Sequence, residues 1–198
     1  MKRDTGSLKA LQSRKTKAAL VKSASRLFGL VGFQKAGLSD IAQGADVSTG
    51  AIYHNFGGKE ELFRCVHLEV AEALFETVRQ ESAQQVPDSE RQGIERAQFA
   101  LRLVFAELQR DSVRRILLED GPAVLGATVS REQFDERGIE QLEAGLLVLM
   151  TAEVIAKQPA RLLASMVFGA LMEATHPAVS GSAKEFEVIV RAMMGWSD

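Results

Sequence analysis

The sequence predicts an all-α protein, and three features of the 198-residue chain support that class. Apolar side chains recur every three or four residues through most of the chain, which is the spacing of one face of a helix. Only four prolines and one tyrosine are present, so residues that typically border and fill sheets are scarce. With 46% apolar and 25% charged residues, the composition is that of an ordinary globular protein, and the length allows one large domain or two small ones.

The chain lacks the sequence signals of membrane and secreted proteins. Its longest apolar run, residues 145–152, is much shorter than the roughly 20 residues that a membrane-spanning helix needs. The N-terminal residues are charged and contain no apolar segment of the kind found in secretory signals. The single cysteine, Cys65, excludes an internal disulfide framework and favours a reducing compartment. We therefore expect a cytoplasmic protein that has no membrane partner.

Charge is distributed unevenly along the chain. Residues 1–64 contain 11 Lys or Arg and 5 Asp or Glu, a balance of +6, whereas the remainder contains 13 and 21, a balance of −8. An N-terminal third that faces a polyanion would show this asymmetry. A charged and solvated N-terminus with no partner would show it equally well.

Two helices are predicted in the first part of the chain. An apolar stripe runs from about Ser13 to Val31, and Gly32 is a plausible C-cap for that helix. The next helix begins near Leu38 with Gly37 as its N-cap. Asp40 then lies in the first turn, where its charge suits the positive end of the helix.

The segment that follows has the pattern of a helix-turn-helix. Asp46 is one of the few non-glycine residue types that tolerate a left-handed conformation, so we expect a sharp turn there. Val47 is expected to fill the space between the two helices, and Ser48 to cap the second one. That helix carries small and polar side chains where a core helix would carry Leu and Val, and the glycine pair 57–58 ends it. Such a helix suits the close approach of a binding surface.

The rest of the sequence predicts further helices. One opens at Lys59 and continues to about residue 81, which leaves no flexible linker between the two parts of the chain. Other helices are predicted at about 94–108, at 111–119 with a break at Asp120-Gly121-Pro122, and at about 130–154, 159–176 and 184–196. We expect a helix-turn-helix domain at residues 1–64 and a second helical domain at residues 65–198.

Residues 15–66 resemble the DNA-binding domain of the TetR family of bacterial transcriptional repressors. The matching residues are Gly32-Phe33, Asp40-Ile41-Ala42, Ala45, Val47-Ser48, Gly50, Ile52-Tyr53-His54-Asn55-Phe56 and Lys59-Glu60-Glu61-Leu62-Phe63. The resemblance implies that the helix from Ser48 to Asn55 enters the major groove of double-stranded DNA. The residues that it implies as DNA contacts are Lys15, Ser39, Ser48, Thr49, Gly50, Ala51, Tyr53, His54, Asn55 and Lys59.

The resemblance also implies roles for these contacts. Residues 48–51 would approach DNA through backbone and short side chains, whereas Tyr53, His54 and Lys59 would bind phosphates. Lys59 lies at a helix start, so its own charge and the helix N-terminus can attract the same phosphate.

Three residues depart from the family pattern. Gly37 stands where a threonine commonly caps the helix and touches phosphate, so it offers no hydroxyl. Asp46 stands where glycine is usual and brings a negative charge near DNA. Gly58 precedes the lysine where Ser, Asp or Thr is frequent, and it is the weaker cap by about a few tenths of a kcal/mol.

The remainder of such proteins resembles a ligand-binding and dimerisation domain. The last two helices of the family pack against their two-fold mates, and here they would be residues 160–175 and 184–196. A symmetric homodimer would hold its recognition helices about 34–36 Å apart, one turn of DNA, and would bind a palindromic operator. The apolar residues expected at this interface are Leu163, Met166, Val167, Ala170, Phe186, Ile189, Val190 and Met193.

A small-molecule effector would occupy a cavity in the second domain, and soft apolar side chains suit a small, mostly apolar one. The candidates for polar contacts inside it are Arg102, Gln98, Gln141 and Glu173. The same apolar residues would equally well describe an ordinary core. The residues predicted to line the cavity are Phe99, Arg102, Leu103, Leu118, Phe134, Leu146, Met150, Phe168 and Met172.

No catalytic residue, metal site or cofactor is predicted. Cys65 and His67 are two apart on a helix and project about 200° away from each other, so they cannot share one ion, and we expect a packed cysteine. The sequence has neither a phosphate-binding loop nor a Gly-x-Ser-x-Gly elbow. We expect a ligand-responsive repressor. A DNA-binding dimer with no small-molecule effector, either architectural or controlled by a protein partner, stays open as an alternative, as does an enzyme that carries this domain.

Overall fold

The structure, a computed structural model, describes residues 5–85, 92–175 and 183–194. All regular structure in those ranges is helical, so the prediction of an all-α fold is confirmed. None of the helices in those ranges is long and apolar enough to cross a membrane. The helices are α1 (Thr5–Lys35), α2 (Leu38–Gly44), α3 (Thr49–Phe56), α4 (Lys59–Gln85), α5 (Gln92–Gln109), α6 (Asp111–Arg114), α7 (Gly121–Leu125), α8 (Ala127–Ser130), α9 (Glu136–Thr151), α10 (Ala160–Ala174) and α11 (Ala183–Met194).

The chain forms two compact units. The helix-turn-helix unit comprises Met1–Val70 and Asp111–Ser130, and the second unit comprises Ala71–Arg110 and Arg131–Asp198. The sequence-based division at residue 64 did not foresee that residues 111–130 pack with the N-terminal helices. Helix α4 contributes residues to both units.

Three phenylalanines form the centre of the helix-turn-helix unit. The ring centroids of Phe28 and Phe63 are 5.2 Å apart, as are those of Phe33 and Phe63, both in edge-to-face geometry. Phe28 and Phe63 are fully buried, together with Leu20 on α1 and Ile41 on α2. Edge-to-face aromatic contacts add to the hydrophobic stabilisation of such a core, so α1 and α4 together form the support of the helix-turn-helix.

Helix α1 is interrupted at Gly32, the predicted helix end, which has a left-handed φ of 81° and a ψ of 166°, and a short helical segment follows it to Lys35. The kink leaves backbone groups without helical partners, and two side chains from the 111–130 segment take their place. The backbone N–H of Phe33 donates to Oδ2 of Asp120 at 2.7 Å. Nη1 of Arg115 donates to the carbonyl of Gly29 at 2.8 Å and also to that of Leu30. These bonds explain why residues 111–130 belong to this unit.

The predicted break at residues 120–122 is wrong. Helix α6 leads into a π-helical segment, Arg115–Asp120, and then directly into α7. Gly121 keeps helical angles, and Pro122 lies in the first turn of α7, where its missing N–H would have no helical partner. Gly121 is also buried. An added Cβ there would lie 2.6 Å from Nε2 of the buried His67, so the site has room only for glycine. The prediction of a packed Cys65 is also wrong, since this side chain is exposed.

The second unit is built on α9 and α10, with α5 and α11 against them. An added Cβ at Gly138 of α9 would lie 2.1 Å from the ring of Phe168 on α10, so the glycine allows close approach of the two helices. Phe134 stacks on Phe75 with centroids 5.6 Å apart and meets Phe168 edge to face at 5.7 Å. Helix α9 begins at Glu136 because a second π-helical segment, Arg131–Asp135, occupies the start of the helix predicted from residue 130. His176 and Trp196, named in the sequence-based boundaries, lie outside the described residues.

Candidate nucleic-acid interface and ligand cavity

The turn between α2 and α3 is fixed by the backbone of Asp46. Its φ of 55° is left-handed, as the sequence predicts, and directs the next residue back toward α2. The N–H of Val47 then donates to the carbonyl of Ala42 at 3.0 Å. Ile41 and Ile52 are fully buried on the facing sides of the two helices, so the angle between them is set by packing as well as by the turn.

Helix α2 is held against α1 by a contact that the sequence analysis missed. Oγ of Ser23 donates to the carbonyl of Ile41 at 2.8 Å within the buried interface. An added Cβ at Gly44 would lie 2.4 Å from the same Oγ, so glycine is needed where the helices meet. A serine at a core-facing position of α1 was the available signal for this buried hydrogen bond.

Helix α3, which the sequence analysis predicts as the recognition helix, presents a small and polar outer surface. Ser48 occupies the N-cap position with extended angles, and its hydroxyl makes no capping hydrogen bond. Gly50 and His54 are exposed, and the exposed fraction of Tyr53 is 57%. The left-handed Gly57 ends the helix by donating its N–H to the carbonyl of Tyr53 at 2.9 Å. These positions agree with the predicted helix, and its backbone can approach a flat or grooved surface closely.

Asn55, which the sequence analysis names as a DNA contact, makes two hydrogen bonds within the protein. Its Nδ2 donates to the carbonyl of Ala51 at 2.7 Å, and its Oδ1 accepts from Oγ of Ser13 on α1 at 3.4 Å. The first bond lies within α3, and the second joins α3 to α1. The other side chains named from the sequence in this unit divide into the exposed Lys15, Ser39 and Ser48 and the half-buried Thr49, Ala51 and Lys59.

Lys59 lies at the first position of α4, beside the end of α1. Its Nζ is 4.6 Å from the ring centroid of Phe33 and donates to the carbonyl of Gln34 at 3.3 Å. Burial lowers the pKa of the ammonium group, and the negative charge of Asp120 acts in the opposite direction. Because an ammonium has three N–H donors and the carbonyl takes one, Lys59 can still bind an anion at the helix start.

A cavity of about 460 Å³ lies inside the second unit, between α4, α5, α9 and α10. Its volume falls in the range of small-molecule binding sites. Most of the lining is apolar, and small residues such as Ala97, Ala100 and Gly145 create much of the space. The polar residues in the lining are Arg79, Ser82, Arg96 and Gln141.

Of the residues predicted to line a cavity, Leu146 and Phe168 line this one. Of the candidate polar contacts, Gln141 lines it and Gln98 and Glu173 do not. On α5, Phe99, Arg102 and Leu103 lie off the lining face, which consists of Gly93, Arg96, Ala97, Ala100, Leu101 and Val104. The sequence could not indicate which face of α5 lines the cavity, because apolar residues occur on more than one of its faces. Phe134 and Met150 are buried and outside the lining, Met172 is half-buried, and Leu118 belongs to the helix-turn-helix unit.

The predicted interface residues on α10 and α11 divide between two faces. Leu163, Val167, Phe186 and Val190 are buried within the protomer and form part of its core. Met166 and Ile189 are 54% and 53% exposed, and Leu162 on α10 and Val188 on α11 are 60% and 62% exposed. These last four residues define the outward patch of the second unit. Ala170 and Met193 are half-buried.

The sequence matches two family models. One, described as bacterial regulatory proteins of the tetR family, matches residues 20–66. The other, described as a tetracyclin repressor-like C-terminal domain, matches residues 94–194. A comparison with curated protein sequences gave no match.

Solved structures share the fold along most of the chain. A TetR-family transcriptional regulator from Pectobacterium atrosepticum aligns with a TM-score of 0.77 and 23% identity over 95% of this chain and 98% of its own. RolR in complex with resorcinol aligns with a TM-score of 0.69 and 22% identity over 94% and 90% of the two chains. The fatty acid degradation regulator FadR from Bacillus halodurans aligns with a TM-score of 0.65 and 20% identity over 90% and 92%.

At these identities the structural likeness establishes the fold, and the family models carry the assignment. The C-terminal model alone spans more than half of the chain, and the N-terminal model covers the helix-turn-helix. The chain belongs to the TetR family of transcriptional regulators.

Proposed function

We propose that this protein is a homodimeric repressor that binds a palindromic operator and releases it when a small molecule occupies the cavity of the second unit. The exposed face of α3, which follows α2 through the left-handed turn at Asp46, is the observation that carries the proposal. Tyr53, His54 and Lys59 would contact phosphates and fix the register on DNA, and the start of α3 would approach the base edges.

The outward patch supports the dimer. Leu162, Met166, Val188 and Ile189 are large apolar side chains, all more than half exposed, on two neighbouring helices. Exposed apolar groups of this kind mark protein–protein interfaces, and a symmetric pair would bury the same patch on both protomers. Two recognition helices related by a two-fold axis would read two inverted half-sites.

Release by a ligand requires that the ligand bind more tightly to a conformation with poor operator affinity. Helix α4 is the natural connection, because it carries Lys59 at its start and lines the cavity with Phe75, Val78 and Ser82 farther along. That RolR was solved with resorcinol supports the capacity of this fold for a small molecule.

Fluorescence anisotropy tests the proposal. The full-length protein is titrated against labelled DNA fragments from beside its own gene at two salt concentrations. We expect one fragment to bind tightly, with two protomers per site and an affinity that falls as salt rises. Uniformly weak binding to every fragment, or a stoichiometry of one protomer per site, would contradict the proposal.

A further inference from the structure

The cavity of the second unit is elongated along three of its helices. Its lining covers residues 75–83 on α4, residues 93–104 on α5 and residues 138–149 on α9. At a rise of about 1.5 Å per residue, these stretches are about 12 Å long on α4 and about 16 Å long on α5 and α9. A volume of about 460 Å³ distributed over that length leaves a mean cross-section of roughly 30 Å². The cavity is therefore a slot that is much longer than it is wide.

Two close contacts between the helices mark the ends of the slot. At one end, an added Cβ at Gly93 of α5 would lie 2.9 Å from Cδ2 of Leu149 on α9. At the other end, an added Cβ at Gly138 would lie 2.1 Å from the ring of Phe168, which lines the cavity together with Phe75. The free length of the slot lies between these two contacts and runs along α9.

The dimensions of the slot suit one row of rings or one extended chain. A compact apolar cavity of about 150 Å³ holds one benzene molecule, and its cross-section is also roughly 30 Å². The slot is therefore about one ring wide and has about three times that volume. Small residues in the middle of the lining stretches of α5 and α9, namely Ala97, Ala100 and Gly145, leave this width open.

The charged side chains in the lining already have partners within the protein. Arg79 forms an ion pair with Glu76, its Nη2 lying 2.6 Å from Oε1, and Arg96 is also engaged by an interaction of its own. None of the described lining residues is acidic, so a bound cation would find no counter-ion there. Oγ of Ser82 is buried, and the uncharged amide of Gln141 is the remaining polar group of the described lining. Because a buried charge without a partner is costly, a neutral ligand is favoured over either ion.

Shape and charge together define a ligand class. We propose that the cavity binds one neutral, elongated and mostly hydrocarbon molecule, about the size of three benzene rings, that lies along α9. This inference rests on the proposed effector function of the cavity and specifies its ligand. A hydroxyl or carbonyl group on the ligand can hydrogen-bond to the exposed amide of Gln141. Affinity comes mainly from buried hydrocarbon, so it rises with chain length until the ligand fills the slot.

A pair of dyes with the same skeleton tests the preference for a neutral ligand. N-phenylnaphthylamine is uncharged, elongated and built from three rings, and anilinonaphthalenesulfonate adds one sulfonate to that skeleton. Both are titrated by fluorescence against the full-length protein. We expect one molecule of the neutral dye to bind per protomer, at least about 10-fold more tightly than the anionic dye. Equal affinities, or the reverse order, would overturn the neutral class.

Alcohols and carboxylates of equal length test charge and length together. Hexanol, octanol and decanol are compared with hexanoate, octanoate and decanoate by isothermal titration calorimetry. Each added methylene should raise the affinity of an alcohol about fourfold, which makes decanol about 200-fold tighter than hexanol. Each carboxylate should bind at least about 10-fold more weakly than the alcohol of the same length.

Gly145→Leu tests whether the ligands lie along the slot. Gly145 is four residues, about 6 Å, from the end at Leu149 and seven residues, about 10 Å, from the end at Gly138. An added Cβ at Gly145 would meet no atom within 4 Å, so this variant should fold and place its side chain across the slot. The remaining length should still hold hexanol, whose affinity should change by less than about threefold. The gain from hexanol to decanol should fall from about 200-fold to less than about 10-fold.

Gly169→Leu is the matched control, because Gly169 is exposed on α10, lies outside the lining and also has no atom within 4 Å of an added Cβ. This control should leave the whole alcohol series unchanged. An unchanged affinity for decanol in folded Gly145→Leu, or an equal loss for hexanol and decanol, would overturn the slot. The absence of saturable binding to folded wild-type protein would overturn the inference without any variant.

The operator-binding assay separates this inference from the proposed function. Alcohols that bind in the slot but leave operator affinity unchanged would contradict effector release alone. Carboxylates that bind in the slot and release the operator, when alcohols of the same length do neither, would contradict the neutral class alone.

Discussion

The two units of this protein use their interiors differently. The helix-turn-helix unit fills its centre with Phe28, Phe33 and Phe63, whose ring centroids are 5.2–5.7 Å apart. The second unit leaves a cavity of about 460 Å³, lined by alanines and glycines as well as by larger apolar side chains. Close packing fixes the position of the recognition helix, whereas open space allows a ligand to bind. The difference teaches that one chain can combine a closely packed unit with a unit that retains open space in its interior.

The largest effect is expected at the outward patch of the second unit. Met166→Glu combined with Ile189→Glu would bury four carboxylates in a symmetric dimer interface, and each unpaired buried charge costs about 3–5 kcal/mol. We expect the dimer affinity, measured by sedimentation velocity, to fall by more than about 1,000-fold, with loss of operator binding.

Leu30→Glu is the matched control for that double variant. Leu30 is 70% exposed in the helix-turn-helix unit and lies outside the outward patch. The control variant should remain dimeric. A double variant that sediments as a dimer would show that the interface lies elsewhere.

Two phenylalanines on α4 test the difference in packing. Phe63 is fully buried in the aromatic centre of the first unit, and Phe63→Ala should lower the free energy of unfolding by about 3–5 kcal/mol. Phe75 already lines the cavity and is half-buried, so Phe75→Ala should lower it by only about 1–2 kcal/mol. Urea unfolding at one fixed protein concentration measures both, and equal losses would contradict the comparison.

Two helical glycines also test the difference in packing between the units. Here a methyl group is added, whereas the phenylalanine variants remove side-chain atoms. An added Cβ at Gly29 would lie 2.8 Å from Cβ of Ser112, so Gly29→Ala should destabilise the protein by about 1–2 kcal/mol. At Gly145 the Cβ would meet nothing within 4 Å, so Gly145→Ala should stabilise α9 by about 0.5–1 kcal/mol. Thermal unfolding should therefore shift in opposite directions for the two variants.

The smallest effect is expected for a single cation of the helix-turn-helix unit. Lys59→Met should remove one phosphate contact per protomer and reduce the slope of log affinity against log salt by about 1.8 for a dimer. Lys157→Met removes the same charge from an exposed position of the second unit and should leave the slope unchanged. Anisotropy titrations at several salt concentrations measure the slope, and equal slopes for Lys59→Met and wild type would exclude Lys59 as a phosphate contact.

The sequence by itself was enough for the local structure of the helix-turn-helix. The left-handed turn at Asp46, the N-cap position of Ser48 and the glycine that ends α3 depend on neighbouring residues only, so residue type and spacing predicted them. The all-α class followed from helical periodicity for the same reason. The choice of exposed residues on α3 was also sound for Tyr53 and His54, because polar side chains on a short helix cannot fill a core.

Contacts between distant parts of the chain were decided only by the tertiary structure. The bond from Ser13 to the amide of Asn55 joins residues 42 positions apart, and the sequence did not indicate it. The bonds from Arg115 and Asp120 to the kinked end of α1 join residues more than 80 positions apart, and no local pattern encodes them. The sequence did not determine the orientation of α5, α10 and α11 about their own axes, because each helix has apolar residues on more than one face. Only packing against neighbouring helices decides which face lines the cavity, which fills the core and which remains exposed.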